Sequence, residues 1–233
     1  MISVTDLGKR FDDIIALESV TFTLEPGTFT VLIGPSGAGK TTLLRCVNGL
    51  ERPDRGRIEI DGNPLDPRAV AMIFQHDALV NRKRALETVL DGSLGREPAW
   101  RELLSWHTVE ERRAALERLH AVGLAGYAER RVGDLSGGER QRVGIARALQ
   151  QEPIVLLADE PVAALDPTTA RSVIERIAAV VRENDLYGFV SIHQPELAAP
   201  VADRFLGLRA GRIVLDQPVS TVETADIAQV YNG

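Results

Sequence analysis

One segment limits what this chain can fold into more than any other. Gly34-Pro35-Ser36-Gly37-Ala38-Gly39-Lys40-Thr41 follows a mostly apolar run at residues 29–33 and opens a stretch, residues 41–50, that reads as a helix. Its spacing is a glycine, four residues, then Gly-Lys-Thr. Glycines let such a loop curl until successive backbone N–H groups face one anion. The helix behind it adds the positive end of its dipole. Lys40 is placed to neutralise the outer phosphates of a nucleotide, Thr41 offers a hydroxyl to Mg²⁺, and Thr42 continues the cradle. The segment therefore demands a strand before it and a helix after it.

That alternation recurs along the chain. Residues 2–4, 20–24, 29–33, 57–60, 70–74, 154–158 and 189–193 read as strands, and residues 205–208 and 213–215 as a closing pair around Ala210-Gly211. The order Val20-Thr21-Phe22-Thr23-Leu24 has the period of a half-buried strand. Residues 109–122, 140–150 and 168–182 read as helices. Residues 78–134 differ in character: they hold Trp100 and Trp106 and show helical spacing at Leu116, Leu119 and Val122. They are expected to form a helical lobe inserted into an α/β core with a mainly parallel, covered sheet. The whole, residues 1–233, reads as one domain, and the segment after Leu215 is too short for a second.

Composition narrows the function. Lys and Arg number 27 against 33 Asp and Glu, a net charge of −6, a poor balance for binding nucleic acid or anionic lipid. The single cysteine, Cys46, allows no internal disulfide and fits a reducing compartment. No apolar run approaches the roughly 18 residues that a membrane helix needs, and the N-terminus has no signal pattern. If this protein moves a solute across a membrane, another chain must form the pore.

Two further segments carry chemistry. Ile154-Val155-Leu156-Leu157-Ala158-Asp159-Glu160 is an apolar run ending in two carboxylates. Strand ends of this kind are where α/β sheets bind ligands. Asp159 suits Mg²⁺, held through water, and Glu160 suits orienting and deprotonating an attacking water. Leu135-Ser136-Gly137-Gly138-Glu139 opens a second helix with glycines, so Ser136, Gly137 and Gly138 form a second anion site, or simply a capped helix start. One nucleotide needs one cradle. A surplus cradle is economically explained by a two-fold dimer in which each copy lends it to the other's nucleotide. Gln75 and His193 end strands; Gln75 is placed to watch the metal or the water. For Phe11 core packing is the plain reading, and for His76, His107 and His120 a structural or surface place.

Together these segments resemble the ABC-type ATPase family. Residues 34–41, Gln75, residues 135–139 and 154–160, Ala164-Leu165-Asp166 and His193 stand in that family's order and spacing, over about residues 2–217. The resemblance implies a P-loop NTPase core with a parallel sheet, an antiparallel β portion and an inserted helical lobe. It implies hydrolysis of ATP with Mg²⁺ by a head-to-tail dimer of two copies with two ATP molecules between them. It makes Phe11 the aromatic that stacks on adenine, His193 the switch histidine at the γ-phosphate, and Asp166 the link between the two sites. Gln75 becomes the point where site chemistry meets the membrane subunit, besides a place near the metal. Lys40, Gln75, Glu160 and His193 are the expected catalytic set. Glu139 stands where Gln is frequent, and Phe11 where Tyr is frequent. The partners implied are transmembrane permease subunits, and through them an extracytoplasmic or periplasmic solute-binding protein, with the chain peripheral on the cytoplasmic face of the inner membrane. Asn81-Arg82, Val89-Leu90-Asp91-Gly92-Ser93-Leu94-Gly95-Arg96, residues 100–106 and Ile192-His193-Gln194 further resemble the ATPase subunits of phosphonate importers, a group that also serves phosphite and related oxyanions.

Overall fold

A computed structural model describes residues 1–74, 79–94 and 107–232. Gln75, His76 and the segment holding Trp100 and Trp106 lie outside the described residues. Two sheets organise the described residues. The larger, six-stranded sheet runs in the order β10-β9-β3-β8-β7-β6. Its strands are β3 (Phe29–Ile33), β6 (Val70–Ile73), β7 (Val155–Asp159), β8 (Tyr187–Ser191), β9 (Arg204–Arg209) and β10 (Arg212–Pro218). All neighbours pair in parallel except β9 and β10. The second sheet is antiparallel where its pairing is given: β2 (Ile14–Leu24), β1 (Ile2–Phe11), β4 (Arg55–Ile60) and β5 (Asn63–Pro64), in that order.

The parallel strands are mostly apolar because both faces are covered. Val31, Ile33, Leu156, Ala158 and Val190 face one buried cluster; Leu32, Val155, Leu157 and Phe189 face the other. The second cluster is closed by β1, β2 and helix α1 (Lys40–Asn48). The first is closed by α2 (Ala85–Leu90), α3 (Val109–Ala121), α4 (Gly137–Gln150) and α5 (Pro167–Glu183). Within α3, Ala115 and Leu119 turn inward, with Val122 just past its end, whereas Leu116 is 47% exposed. The inward stripe therefore runs through Ala115, not Leu116 as the spacing had implied.

Local chemistry sets the boundaries. Helix α1 stops at Asn48 because Gly49 takes a left-handed conformation and its N–H donates to the Cys46 carbonyl. Helix α3 starts at a reciprocal box in which Thr108 caps the Glu111 N–H and Glu111 caps the Thr108 N–H. The β9–β10 hairpin turns on Ala210 and Gly211, with φ of 47° and 74°, as a two-residue reverse turn requires. Strand β1 is far longer than the expected residues 2–4, β6 ends one residue before Phe74, and β7 leaves Ile154 outside. A short helix, α6 (Pro195–Ala198), precedes β9; after β10 a 3₁₀ turn leads into α7 (Thr224–Asn232), which buries Val230 against the main sheet.

Candidate functional site

The C-terminal ends of β3, β7 and β8 meet along one edge of the large sheet, where open parallel sheets bind ligands. Strand β3 runs directly into Gly34. The loop that follows exposes Ser36 and Gly37 and buries Lys40 to 5% accessibility. Gly39 has φ 103°, and a Cβ there would lie 2.4 Å from the Ala16 carbonyl of β2. Glycine is thus required both by conformation and by the approach of β2 to the loop. The Lys40 ammonium donates to the Gly34 and Pro35 carbonyls at 2.8 and 3.1 Å and lies 3.9 Å from Glu160 Oε1. Burial lowers its pKa, opposed by the charges of Glu160 and Asp159. Thr41 and Thr42 follow on α1, half-buried.

Asp159 closes β7 and pairs in register with Ser191 at the end of β8. It is 6% exposed and accepts a 2.7 Å hydrogen bond from Ser191 Oγ. The same hydroxyl accepts from the Glu160 N–H at 3.0 Å, and the Ser191 carbonyl accepts from that N–H at 3.2 Å. Glu160 has φ 48°, a left-handed conformation uncommon outside glycine. Ser191 therefore holds both adjacent carboxylate residues. Sequence reasoning missed it; the available signal was a hydroxyl in an otherwise apolar strand. His193 lies beyond the end of β8 rather than on it, and its Nε2 is 2.7 Å from Glu160 Oε1. A cavity of about 210 Å³ opens beside these two, with Leu165 and Gln194 in its wall.

Ser136 is the N-cap of α4. Its Oγ accepts from the Glu139 N–H and its own N–H donates to the Glu139 carboxylate at 2.8 Å. The bond from the Ser136 N–H to the carboxylate, and after it one from the Ser136 side chain, lower the Glu139 pKa. The capped helix start is thus realised, with Ser136 exposed at its tip. A Cβ on Gly138 would sit 2.4 Å from Thr169 Cγ2, and one on Gly137 2.8 Å from Leu165 Cδ2. The two glycines let α4 start flush against the first turn of α5. Asp166 caps that turn, accepting from the Thr168 and Thr169 N–H groups at 3.1 Å each; a hydrogen bond from the Thr169 side chain, joined by these N–H groups, holds its carboxyl below the usual range. The structure brings Ser136, Gly137, Gly138 and Asp166 side by side. Phe11 ends β1, 41% exposed, with the Lys9 ammonium 5.0 Å from its ring centre. It is no core residue. Gln75 lies outside the described residues.

The donor set fits a phosphate chain: an open glycine loop, a buried lysine and a helix N-terminus converge on one edge. It also fits Mg²⁺. Among the described residues no cluster of three or more His, Cys, Asp or Glu could hold a metal. Mg²⁺, however, commonly takes one or two protein oxygens beside substrate phosphates and waters, and Thr41 and Asp159 supply a hydroxyl and a carboxylate. No helix among the described residues is long and apolar enough to cross a membrane.

Comparison with known proteins agrees with this geometry. A phosphonates import ATP-binding protein of Natronomonas pharaonis is 62% identical over 232 residues, spanning 100% of both chains. A phosphate-import ATP-binding protein of Mycolicibacterium smegmatis is 43% identical over 236 residues, 97% of this chain and 90% of its own. Among solved structures, the dimeric structure of a bacterial ABC transporter cassette is 29% identical, with a TM-score of 0.78 over 94% of this chain and 99% of the other. The sequence profile described as ABC transporter matches residues 17–163. On these grounds, and with a phosphate cradle built as described, the chain belongs to the ABC transporter family, as an ATP-binding, ATP-hydrolysing subunit.

Proposed function

We propose that this chain hydrolyses ATP to ADP and phosphate to drive import of a phosphonate, or of a related phosphorus oxyanion such as phosphite, through separate membrane permease subunits. The observation that carries the reading is 62% identity over the full length to the Natronomonas phosphonates import protein. The Mycolicibacterium phosphate-import relative favours inorganic phosphate as a second substrate reading. The chain would sit peripherally on the cytoplasmic face of the membrane. An extracytoplasmic solute-binding protein would deliver the solute to the permease.

In this reading two copies face head to tail with two ATP molecules between them. The dimeric cassette at 29% identity supports a dimer. The loop from Gly34 to Thr42 cradles the phosphates and Lys40 exchanges its carbonyl partners for them. Phe11 stacks on adenine, its ring being 41% exposed at the end of β1. The partner copy presents its own signature loop, equivalent to Ser136, Gly137 and Gly138, with its own Asp166 alongside. Thr41 and Asp159, with Gln75, would hold Mg²⁺, which neutralises charge on the phosphate oxygens when bound. Glu160 orients the attacking water and takes its proton at the carboxylate. His193 steers Glu160 and contacts the terminal phosphate. Catalysis is then mainly positioning and charge stabilisation.

Uptake of labelled phosphonate, phosphite and phosphate by cells carrying this chain with its permease and binding protein tests the reading. Phosphonate or phosphite uptake abolished by Glu160→Gln is expected. Transport confined to a solute without phosphorus would overturn it.

A further inference from the structure

The last turn of α7 reaches the site from outside the segments considered so far. Val230 is buried, and a Cβ on Gly207 of β9 would come within 2.6 Å of its Cγ2. Arg209, also on β9, donates to the Gln229 carbonyl at 2.5 Å. These contacts fasten the helix end to the strand beside β3. The next residue, Tyr231, donates its phenolic hydroxyl to the His193 carbonyl at 3.1 Å. Burial pushes the phenol pKa up, and a backbone hydrogen bond from Gly34 pulls it back. One hydroxyl therefore stands between the first residue of the phosphate loop and the histidine.

We infer that Tyr231 is a positioning residue for His193, so that the C-terminal helix is a working part of the ATP site. The inference rests on the role given to His193 above. His193 lies past the last ladder pair of β8, so the sheet does not fix its backbone. Its ring is held on one side by Glu160 at 2.7 Å. Its peptide carbonyl is held on the other side by Tyr231. Releasing that carbonyl lets the peptide after His193 rotate, and the ring then leaves its line with Glu160. Small misplacements of a catalytic group are expensive in rate.

Tyr231→Phe removes the hydroxyl and keeps the ring. In the full-length chain we expect kcat for MgATP hydrolysis to fall about 3- to 10-fold, the loss of one neutral hydrogen bond expressed in the transition state. KM for ATP should stay within about 2-fold, since within the cradle only the Gly34 N–H loses a partner and Lys40 keeps its own. In a His193→Ala background, Tyr231→Phe should cause no further loss, because the two act as one unit. A wild-type kcat in Tyr231→Phe overturns the inference, and so does an equal loss in both backgrounds. His193→Ala hydrolysing ATP at the wild-type rate would instead overturn the role of His193, and the inference with it.

Discussion

Replacing Ser191 with alanine should separate the rigid part of the site from the fold around it. The hydroxyl donates to Asp159 at 2.7 Å and accepts from the Glu160 N–H at 3.0 Å, all in a fully buried side chain. The Glu160 N–H keeps a second acceptor, the Ser191 carbonyl at 3.2 Å. Asp159 loses a charge-assisted bond with little access to water to replace it. Hydrogen bonds to charged groups contribute about 1.5–3 kcal/mol. If that loss is felt where the carboxylate must be aimed, kcat falls about 10- to 100-fold. The half-saturating Mg²⁺ concentration should rise as well, because the Asp159 oxygen offered to the ion is then unaimed. Serine to alanine leaves almost no cavity, so the chain should remain folded. ATPase rates measured across a Mg²⁺ titration, with circular dichroism melts alongside, make the check. Ser191→Thr, which retains the hydroxyl, should recover most of the loss if the added methyl is accommodated. A folded Ser191→Ala protein with wild-type kcat and an unchanged Mg²⁺ response would refute the reasoning.

Three other outcomes are expected. Glu160→Gln should bind ATP yet lose nearly all turnover and accumulate a nucleotide-bound dimer, seen by size-exclusion chromatography with MgATP; normal hydrolysis would remove Glu160 from its role. Glu139→Ala should destabilise the chain by about 1 kcal/mol through loss of a helix cap, whereas Glu139→Gln keeps an oxygen for the Ser136 N–H and should cost less in a denaturant melt. The Glu139 pKa is lowered on folding, so its contribution is complete above the unfolded value and fades as pH falls through the folded one; the Glu139→Ala difference should shrink in acid. The Cys46 thiol is buried and pushed up to about 11, so iodoacetamide at pH 8 should label it only after unfolding.

Much of this architecture could be read from the residues alone. The glycine loop, the apolar strand before it and the acidic strand end at Asp159 are local patterns, and local patterns survive folding. The cap role of Ser136 was legible for the same reason. What escaped were features set by register and by distant packing. Ser191 is an ordinary hydroxyl until β7 and β8 align it with Asp159. Gly138 reads as an anion-binding glycine, while the structure adds a steric demand from Thr169, far along the chain. Residues 109–122 showed a helix, yet Leu116 faces out because the buried stripe is chosen by what α3 packs on. Phe11 carries no pattern at all: only the length of β1 brings it to an exposed strand end.

The pairing of β7 with β8 has a mechanical consequence. Asp159 sits on the last rung of a hydrogen-bonded ladder, and Ser191 is its opposite rung. That corner of the site is as stiff as the sheet and cannot move without breaking backbone bonds. Glu160 stands one residue past the ladder and His193 two, held by side chains and by a backbone bond from the Glu160 N–H to the Ser191 carbonyl. The site thus has a fixed jaw and a hinged one, and any signal from a bound nucleotide or a docking subunit must be transmitted through the hinged jaw.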